Sequence, residues 1–311
     1  MKIDAHNHPD WHGHGMDRFI DNMDAHGIGR TWLLSWIAPK DEYTPAYNSQ
    51  MTPLENGPIP FERCLSYVER APERFVLGYA PDPRRPDGVD RLRAGVEIYG
   101  VRVYGELKLR VRYDNPDVLR MFHACGELGL PVVVHLDYEF DTGGAYPRPN
   151  WWYGGGIEAF ENAVRACPET IFIGHAPGFW SHISADSQHD KQSYPAGPVM
   201  PGGKVPQMFR DCPNLYADLS AGSARNALSR DIAFAKDFVL EFSDRLLYAR
   251  DGFGGELDEI LAQLTLPGPV LAKIHSENAL RLVSLRAYAS EPAGTGTVIR
   301  SGSTGHPRGK A

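Results

Sequence analysis

Short apolar stretches alternate with longer amphipathic ones along most of the chain, and this alternation limits the possible folds more than any other feature. The short stretches are rich in Val, Ile, Leu and Tyr, which predicts β-strands. These strand predictions cover residues 2–6, 31–36, 75–79, 101–109, 131–136, 170–175, 215–219 and 245–251. Helices are predicted between them, at residues 16–26, 60–71, 89–99, 116–128, 157–167, 204–212 and 229–242. The pattern predicts an α/β fold, a parallel (β/α)8 TIM-like barrel.

An open, doubly wound sheet is the alternative architecture. The nucleotide-binding form of that fold is disfavoured, because no G-x-G-x-x-G follows an early strand. The chain has 311 residues, a length at which a barrel forms one domain. We therefore expect a single domain over residues 1–285 and a flexible Gly/Ser/Thr-rich tail over residues 286–311.

Three predicted connections are unusually long, at residues 37–59, 137–156 and 176–203. Long loops in a compact fold are usually functional or disordered. The last two follow the fifth and sixth predicted strands. Loops that follow the strands of a barrel build its active face, so we expect a site there.

Charge and composition exclude several classes of protein. The net charge of -7 argues against binding to nucleic acid or to an anionic membrane. The four cysteines are widely separated in the sequence, which is typical of thiols in a reducing compartment. Neither a signal-peptide pattern near Met1 nor an apolar run of membrane-spanning length is present. A cytoplasmic enzyme or binding protein is therefore expected.

Two H-x-H pairs lie near the beginning of the sequence, in "DAHNHPDWHGHG". His6 and His8 come at the end of the first predicted strand, where side chains two positions apart share one side. Both imidazoles are therefore expected to enter the barrel mouth and bind a metal. His12 and His14 lie in the loop that follows. We expect them near substrate or solvent.

Three further strand predictions end in residues that can bind a metal. His135 ends "LPVVVHLD", His175 ends the apolar part of "TIFIGHAPG", and Asp251 ends "DRLLYARD". A carboxylate such as Asp251 can bind a metal and also accept a proton from metal-bound water. Its alternative role is that of a helix N-cap. Arg250, directly before it, is expected to point away from the barrel interior.

These motifs resemble those of the amidohydrolase superfamily, in its amidohydrolase-related branch, which includes aminocarboxymuconate-semialdehyde-decarboxylase-like proteins. The resemblance extends over nearly the whole chain, to the final helix in "LAKIHSENALRLV". It implies a distorted (β/α)8 barrel that holds one or two divalent metal ions, most commonly Zn²⁺ with Mn²⁺ or others as alternatives. It also implies a small-molecule substrate and allows a homo-oligomer.

The resemblance assigns roles residue by residue. His6 and His8 match the ligands on the first strand, and His135 matches the ligand on the fifth. His175 matches the sixth-strand histidine that binds a second metal or polarises the substrate. Asp251 matches the eighth-strand ligand and proton acceptor. These assignments make Asp251 and His175 the expected catalytic residues.

The fourth strand leaves the ligand question open. Relatives place a carboxylated lysine or a glutamate there, or no ligand at all. In "VYGELKLRVRY", Glu106, Lys108 and Arg110 alternate and are expected to share one face. Glu106 follows Gly105, as in the TatD-like deoxyribonucleases, and is slightly favoured over Lys108 as the residue that reaches the metal. A buried Glu106–Lys108 ion pair is the structural alternative.

Loop residues supply the weaker predictions. The aromatic residues after strands five and six either line a pocket or pack against the rim of the barrel. These are Trp151, Trp152, Tyr153, Phe179 and Trp180. Together with Trp151 and Trp152, the side chains expected to contact the substrate are Lys108, Arg110 and His182.

The expected function is metal-dependent hydrolysis of a C–N or C–O bond in an amide, ester or lactone. Non-oxidative decarboxylation of a small aromatic or unsaturated acid is the alternative within the same resemblance. A TatD-like phosphoesterase is the third possibility, and a non-catalytic barrel that binds a metal or ligand is the fourth. The sequence does not identify the substrate, because that choice depends on the loops.

Overall fold

Parallel β-strands carry the architecture. The structure is a computed structural model, and it describes residues 1–39, 42, 58–137, 153–190 and 192–283. Its strands are β1 Lys2–Asn7, β2 Ile28–Leu33, β3 Phe75–Leu77, β4 Tyr104–Leu107, β5 Val132–His135, β6 Phe172–His175, β7 Leu215–Asp218 and β8 Leu246–Leu247. They form two parallel sheets, β1-β2-β3 and β4-β5-β6-β7-β8, in sequence order.

Backbone hydrogen bonds join the two sheets at both seams. Between β3 and β4, the N–H of Arg102 donates to the carbonyl of Leu77 at 2.9 Å. Between β8 and β1, the N–H of Ala5 donates to the carbonyl of Tyr248 at 2.9 Å. The strands thus follow one another around a ring, which is the TIM-like (β/α)8 arrangement that the sequence predicts.

Helices connect successive strands. They are α1 Met16–Ala25, α2 Phe61–Arg70, α3 Gly88–Tyr99, α4 Pro116–Leu128, α5 Ile157–Ala166, α6 Pro177–Trp180, α7 Lys204–Asp211, α8 Ala221–Ser229, α9 Ile232–Phe242, α10 Glu256–Leu264, α11 Gly268–Ala272 and α12 Asn278–Leu282. Short 3-10 turns cover Ser181–Ile183, Gln188–Asp190 and Ser243–Arg245, and a π-turn, Lys273–Glu277, joins the last two helices. No helix in the described ranges has the length and apolar character needed to cross a bilayer.

Local sequence signals explain several helix ends. The Asn115 side chain caps α4 by accepting the N–H of Asp117 at 2.9 Å, and Pro116 follows at the first helical position. α4 ends at Gly129 in the left-handed conformation (φ 65°), where a glycine carries no steric penalty. The prediction of one helix over residues 229–242 is wrong at its beginning. Asp231 instead caps a separate helix, α9, and α8 precedes it.

The barrel interior is filled by apolar side chains from every strand or the residues beside it. This inner cluster includes Ile3, Ala5, Trp32, Leu34, Val76, Val103, Val133, Ile173, Tyr216, Leu247 and Ala249. A larger cluster lies between the sheet and the helices. The inner cluster closes the barrel below its carboxyl-terminal end, so polar residues that follow it along each strand face the mouth.

Candidate metal centre

Strand alternation brings three polar residues to the barrel mouth. Val133, Ile173 and Tyr216 belong to the inner cluster. Each lies two positions before a polar residue that ends its strand: His135 in β5, His175 in β6 and Asp218 in β7. Because side chains two apart point the same way, the three polar groups follow the apolar core towards the mouth.

β1 and β4 reach the mouth in a different way. Ile3 and Ala5 face the interior, so simple alternation would turn His6 outward. The pairing of β1 with β2 shifts register between Asp4 and Asn7, and β4 has a similar shift between Tyr104 and Leu107. A register shift changes the side on which the following residues project. The shift in β1 accompanies the inward position of His6 and His8, and the shift in β4 accompanies the inward position of Glu106.

His6, His8 and Asp251 form the first group of possible ligands. One ligand atom from each lies within 4.8 Å of the other two. His8 Nδ1 contacts the carbonyl of Leu34 at 2.8 Å, which leaves His8 Nε2 facing Asp251 Oδ1 at 3.6 Å. The N–H of Asp251 donates to the carbonyl of His6 at 2.9 Å and ties the two chain segments together.

Glu106, His135 and His175 form the second group, with ligand atoms that also lie within 4.8 Å of one another. His135 Nδ1 is 2.6 Å from Glu106 Oε1, and His175 Nε2 is 3.7 Å from the same oxygen. The other oxygen, Glu106 Oε2, is 3.4 Å from His8 Nε2. The Glu106 carboxylate therefore lies between the two groups, with one oxygen towards each.

Asp218 orients two of these histidines, and the sequence analysis missed it. Its Oδ2 is 2.7 Å from His6 Nδ1, and its Oδ1 is 3.0 Å from His175 Nδ1. Ser220 donates its hydroxyl proton to Asp218 Oδ1 at 2.7 Å. An aspartate that ends the apolar stretch "NLYAD" is the same signal that identified Asp251.

The electrostatics agree with an ionised Asp218. Burial opposes the charge on Asp218, but the imidazoles of His175 and His6 outweigh it and hold the pKa of the carboxyl well below its usual range. Burial and His175 oppose protonation of His6, whereas Asp218 raises the pKa of His6 above its ordinary value. Asp218 also forms a possible ligand group with His6 and His175. Its two oxygens already contact the Nδ1 atoms of these histidines, which turns each Nε2 towards the other possible ligands.

Lys108 lies next to Glu106 in a buried aromatic setting. Its ammonium nitrogen is 4.5 Å from the ring centre of Trp36 and 5.5 Å from that of Tyr153. Burial raises the pKa of Glu106, but Lys108 and His135 oppose this effect and bring the pKa well below its usual range. Glu106 is therefore the carboxylate between the two ligand groups, and Lys108 is the cation beside it.

Other predicted site residues are more dispersed. Arg110 is half-buried, and its N–H donates to Glu42 Oε2 at 2.8 Å. His182 Nδ1 is 2.9 Å from the carbonyl of Gly178, and the His182 ring lies 4.2 Å from that of His189. Burial lowers the pKa of His182 to about 3. Trp151 and Trp152 lie outside the described residues.

Of the two alternatives for Phe179 and Trp180, lining a pocket or packing against the barrel, the structure shows packing. Both are completely buried in the core between the sheet and the helices. The ring of Phe179 occupies the space beside Gly174, where a Cβ atom would collide with it. Trp180 donates its indole N–H to the carbonyl of Asp218 at 3.1 Å and so braces β7 from behind.

A cavity of about 250 Å³ opens beside Asp251. It is lined by the loops that follow β1 and β8 and by α8 and α10, through residues that include His12, Ala221, Gly222, Arg225, Phe253 and Glu256. His12 is an exposed residue, and partial desolvation at the cavity wall lowers the pKa of its imidazole. His14 stacks on Phe253 at 3.7 Å between ring centres and is half-buried.

The donor set fits divalent metal ions. Within the described part of the chain, His6 Nε2 and Asp251 Oδ1 are buried and have no hydrogen-bond partner. Such buried atoms are normally satisfied, so a ligand at this point is expected. Four imidazoles and two carboxylates around one small volume are typical of zinc or of a similar transition metal.

Comparison with known proteins adds the family context. A sequence model described as amidohydrolase matches residues 3–285. No curated protein sequence matches the chain.

Among solved structures, the chain is similar to an uncharacterised TIM-barrel protein from Bordetella bronchiseptica, with a TM-score of 0.62, 14% identity, and coverage of 91% of this chain and 98% of that one. It is also similar to 2,6-dihydroxybenzoate decarboxylase from Rhizobium, with a TM-score of 0.56, 17% identity, and coverage of 92% and 99%. A third is a probable 2-pyrone-4,6-dicarboxylic acid hydrolase from Acinetobacter baumannii, with a TM-score of 0.56, 12% identity, and coverage of 91% and 99%. At these identities the three structures establish the shared fold.

Proposed function

The chain belongs to the amidohydrolase family of metal-dependent enzymes, and on that premise we propose that it is a hydrolase with a two-metal centre. Its substrate is a small molecule with an amide, ester or lactone bond. The observation that carries this proposal is the position of Glu106, whose two oxygens lie 3.4 Å from His8 Nε2 and 2.6 Å from His135 Nδ1. A carboxylate in that position suits a bridge between two ions, and paired ions are typical of hydrolytic centres.

The proposed ligands divide between two ions. His6, His8 and Asp251 would hold the first, His135 and His175 the second, with Glu106 shared. Zinc is our first choice because imidazole nitrogens dominate the donor set, and manganese is the alternative. When bound, the ions would lower the pKa of water to about 7 and polarise the bond to be cleaved.

The chain's own residues then move the proton and stabilise charge. The Asp251 side chain is 17% exposed and faces the cavity, so it is placed to accept a proton from the attacking water and pass it to the leaving group. His175 is fixed by Asp218, and its Nε2 lies 3.8 Å from Asp251 Oδ2. Lys108 contributes a buried positive charge beside the centre, which favours negative charge that develops on the substrate.

Isotope labelling tests the proposed reaction. The metal-loaded enzyme is incubated in H2¹⁸O with a library of amides, esters, lactones, aromatic acids and phosphate esters. Products are analysed by mass spectrometry and for released CO2 and phosphate. We expect one ¹⁸O atom in the product acid and no CO2. CO2 release without ¹⁸O would instead indicate the decarboxylase, and phosphate release the phosphoesterase.

Variants connect the activity to the site. Asp251→Asn keeps the shape of the side chain but removes the proton acceptor, so kcat should fall by about 10²–10⁴-fold. The matched control is Asp244→Asn, since Asp244 is an exposed aspartate that pairs with Lys273 on the outside of the barrel. Equal hydrolytic activity in both variants would contradict the role of Asp251.

A further inference from the structure

A buried tyrosine that belongs to neither ligand group joins the two strands that carry Glu106 and His135. Tyr113 lies between β4 and α4 and is completely buried. Its hydroxyl oxygen is 2.7 Å from the carbonyl of Leu107, which ends β4, and 2.7 Å from the carbonyl of His135, which ends β5. One side chain therefore spans both strand ends, next to Glu106 and at His135 itself.

The pairing of β4 with β5 shows what this link contributes. Tyr104 of β4 pairs with Val132 of β5. The next pair is Leu107 with Val134, so three steps along β4 match two steps along β5. Such an irregularity interrupts the regular ladder of backbone hydrogen bonds. The tyrosine hydroxyl adds a cross-strand link at this point, beside the inward-facing Glu106.

Close packing makes the ring of Tyr113 a fixed point for both strands. The ring meets Phe122 of α4 and Phe160 of α5 edge-on, with ring centres 6.1 and 6.5 Å apart. Gly154 approaches so closely that a Cβ atom there would lie 2.6 Å from the ring. Burial and nearby carboxylates raise the pKa of the Tyr113 hydroxyl well above its ordinary value. The hydroxyl therefore keeps its proton and remains a hydrogen-bond donor.

We propose that Tyr113 is a positioning residue for the second metal ion, because its hydroxyl sets the distance between the Glu106 carboxylate and the His135 imidazole. This inference rests on the proposed two-metal function and adds the residue that holds the second ligand group in place. Without the hydroxyl, two carbonyl oxygens at the strand ends lose their shared donor, which favours a shift of one strand end relative to the other. A metal site tolerates such a shift poorly, since its ligand distances vary by only about 0.2 Å.

Two tyrosine-to-phenylalanine variants separate positioning from stability. Tyr113→Phe removes the shared hydroxyl. The matched control is Tyr104→Phe, since Tyr104 is also completely buried, lies on β4, and donates its hydroxyl to the carbonyl of Pro81 at 3.0 Å, a residue of neither ligand group. Each variant loses one buried donor, so both should lower the urea midpoint of the metal-free protein to a similar extent.

Titration of zinc against a competing chelator is the decisive measurement. A His135→Asn variant, which lacks a ligand of the second ion, identifies the binding step of the first. We expect Tyr113→Phe to bind the second ion about tenfold more weakly and the first with wild-type affinity. Tyr104→Phe should bind both ions as the wild type does. Wild-type affinity for both ions in Tyr113→Phe, or an equal loss in the two variants, would overturn the inference.

The titration and the isotope experiment fail independently. A selective loss of the second ion in Tyr113→Phe stands even when no hydrolysis is found. Conversely, ¹⁸O incorporation by a wild type that binds two ions stands even when Tyr113→Phe binds both normally, and the inference alone then falls. A wild type that binds one ion would contradict the two-metal centre and the inference together.

Discussion

Replacing Asp218 with asparagine should weaken one of the two metal positions. Asp218 accepts N–H groups from His6 at 2.7 Å and from His175 at 3.0 Å, and each bond leaves an Nε2 lone pair for the centre. The asparagine amide has one carbonyl oxygen and one NH2 group, so it can accept from only one of these histidines. The other histidine faces the NH2 group, which favours the tautomer with the proton on Nε2, where it blocks metal binding. Ser220 Oγ, 2.9 Å from His175 Nδ1, is the alternative acceptor for His175.

The expected loss of metal affinity follows from the number of histidines affected, which is one. Removing one second-sphere partner of a histidine ligand lowers metal affinity by about 10- to 100-fold, or about 1.4–2.7 kcal/mol. Because a single histidine is affected, the Asp218→Asn protein should bind one ion with nearly normal affinity and the other more weakly. A titration of zinc against a competing chelator should then become biphasic.

The matched control is Asp186→Asn. Asp186 is a mostly buried aspartate that Arg230 and Gln188 hold away from the metal centre, so this variant should titrate like the wild type. Thermal unfolding of the metal-free proteins checks that the barrel remains folded. Two ions bound to Asp218→Asn with wild-type affinity would refute the reasoning about Asp218.

Three further predictions address other parts of the structure. Glu106→Gln should reduce the metal content by one ion per chain in elemental analysis, whereas Glu158→Gln, on the exposed face of α5, should not. Arg250→Met leaves the Asp4 carboxylate buried without its cation and should lower the free energy of unfolding in urea by about 3–5 kcal/mol. Adding Asp4→Asn to this variant should recover part of the lost stability. Additive losses from the two substitutions would contradict the pairing. The pKa of His182 is lowered to about 3 in the folded protein, so this residue binds a proton more readily in the unfolded chain. Its contribution to the free energy of unfolding is therefore complete above pH 6.5 and is lost as the pH falls. That contribution should decrease by about 2 kcal/mol between pH 7 and pH 5, and the His182→Asn variant should lack this part of the slope in chemical unfolding at each pH.

Part of the site could be predicted from local sequence patterns. His135 and His175 end apolar strands, and regular alternation from Val133 and Ile173 carries them to the mouth. Asp218 obeys the same rule and could have been identified in the same way. Arg250 is expected to point away from the barrel interior, and its guanidinium pairs with Asp4 rather than facing that interior.

Other parts depend on tertiary structure. The register shifts that accompany the inward positions of His6 and Glu106 arise from pairing with neighbouring strands, and no local pattern reveals them. The burial of Phe179 and Trp180 is likewise set by close packing against Gly174 and β7. Sequence periodicity describes one chain segment at a time, and these contacts join segments far apart in the chain.

The central claim is that the barrel mouth binds two divalent ions that share Glu106. Elemental analysis tests it most directly, on purified protein that has been saturated with zinc or manganese and freed of excess metal by gel filtration. We expect two ions per chain, with hydrolytic activity that rises until the second is bound. One ion per chain at saturation, with full activity, would contradict the two-metal centre.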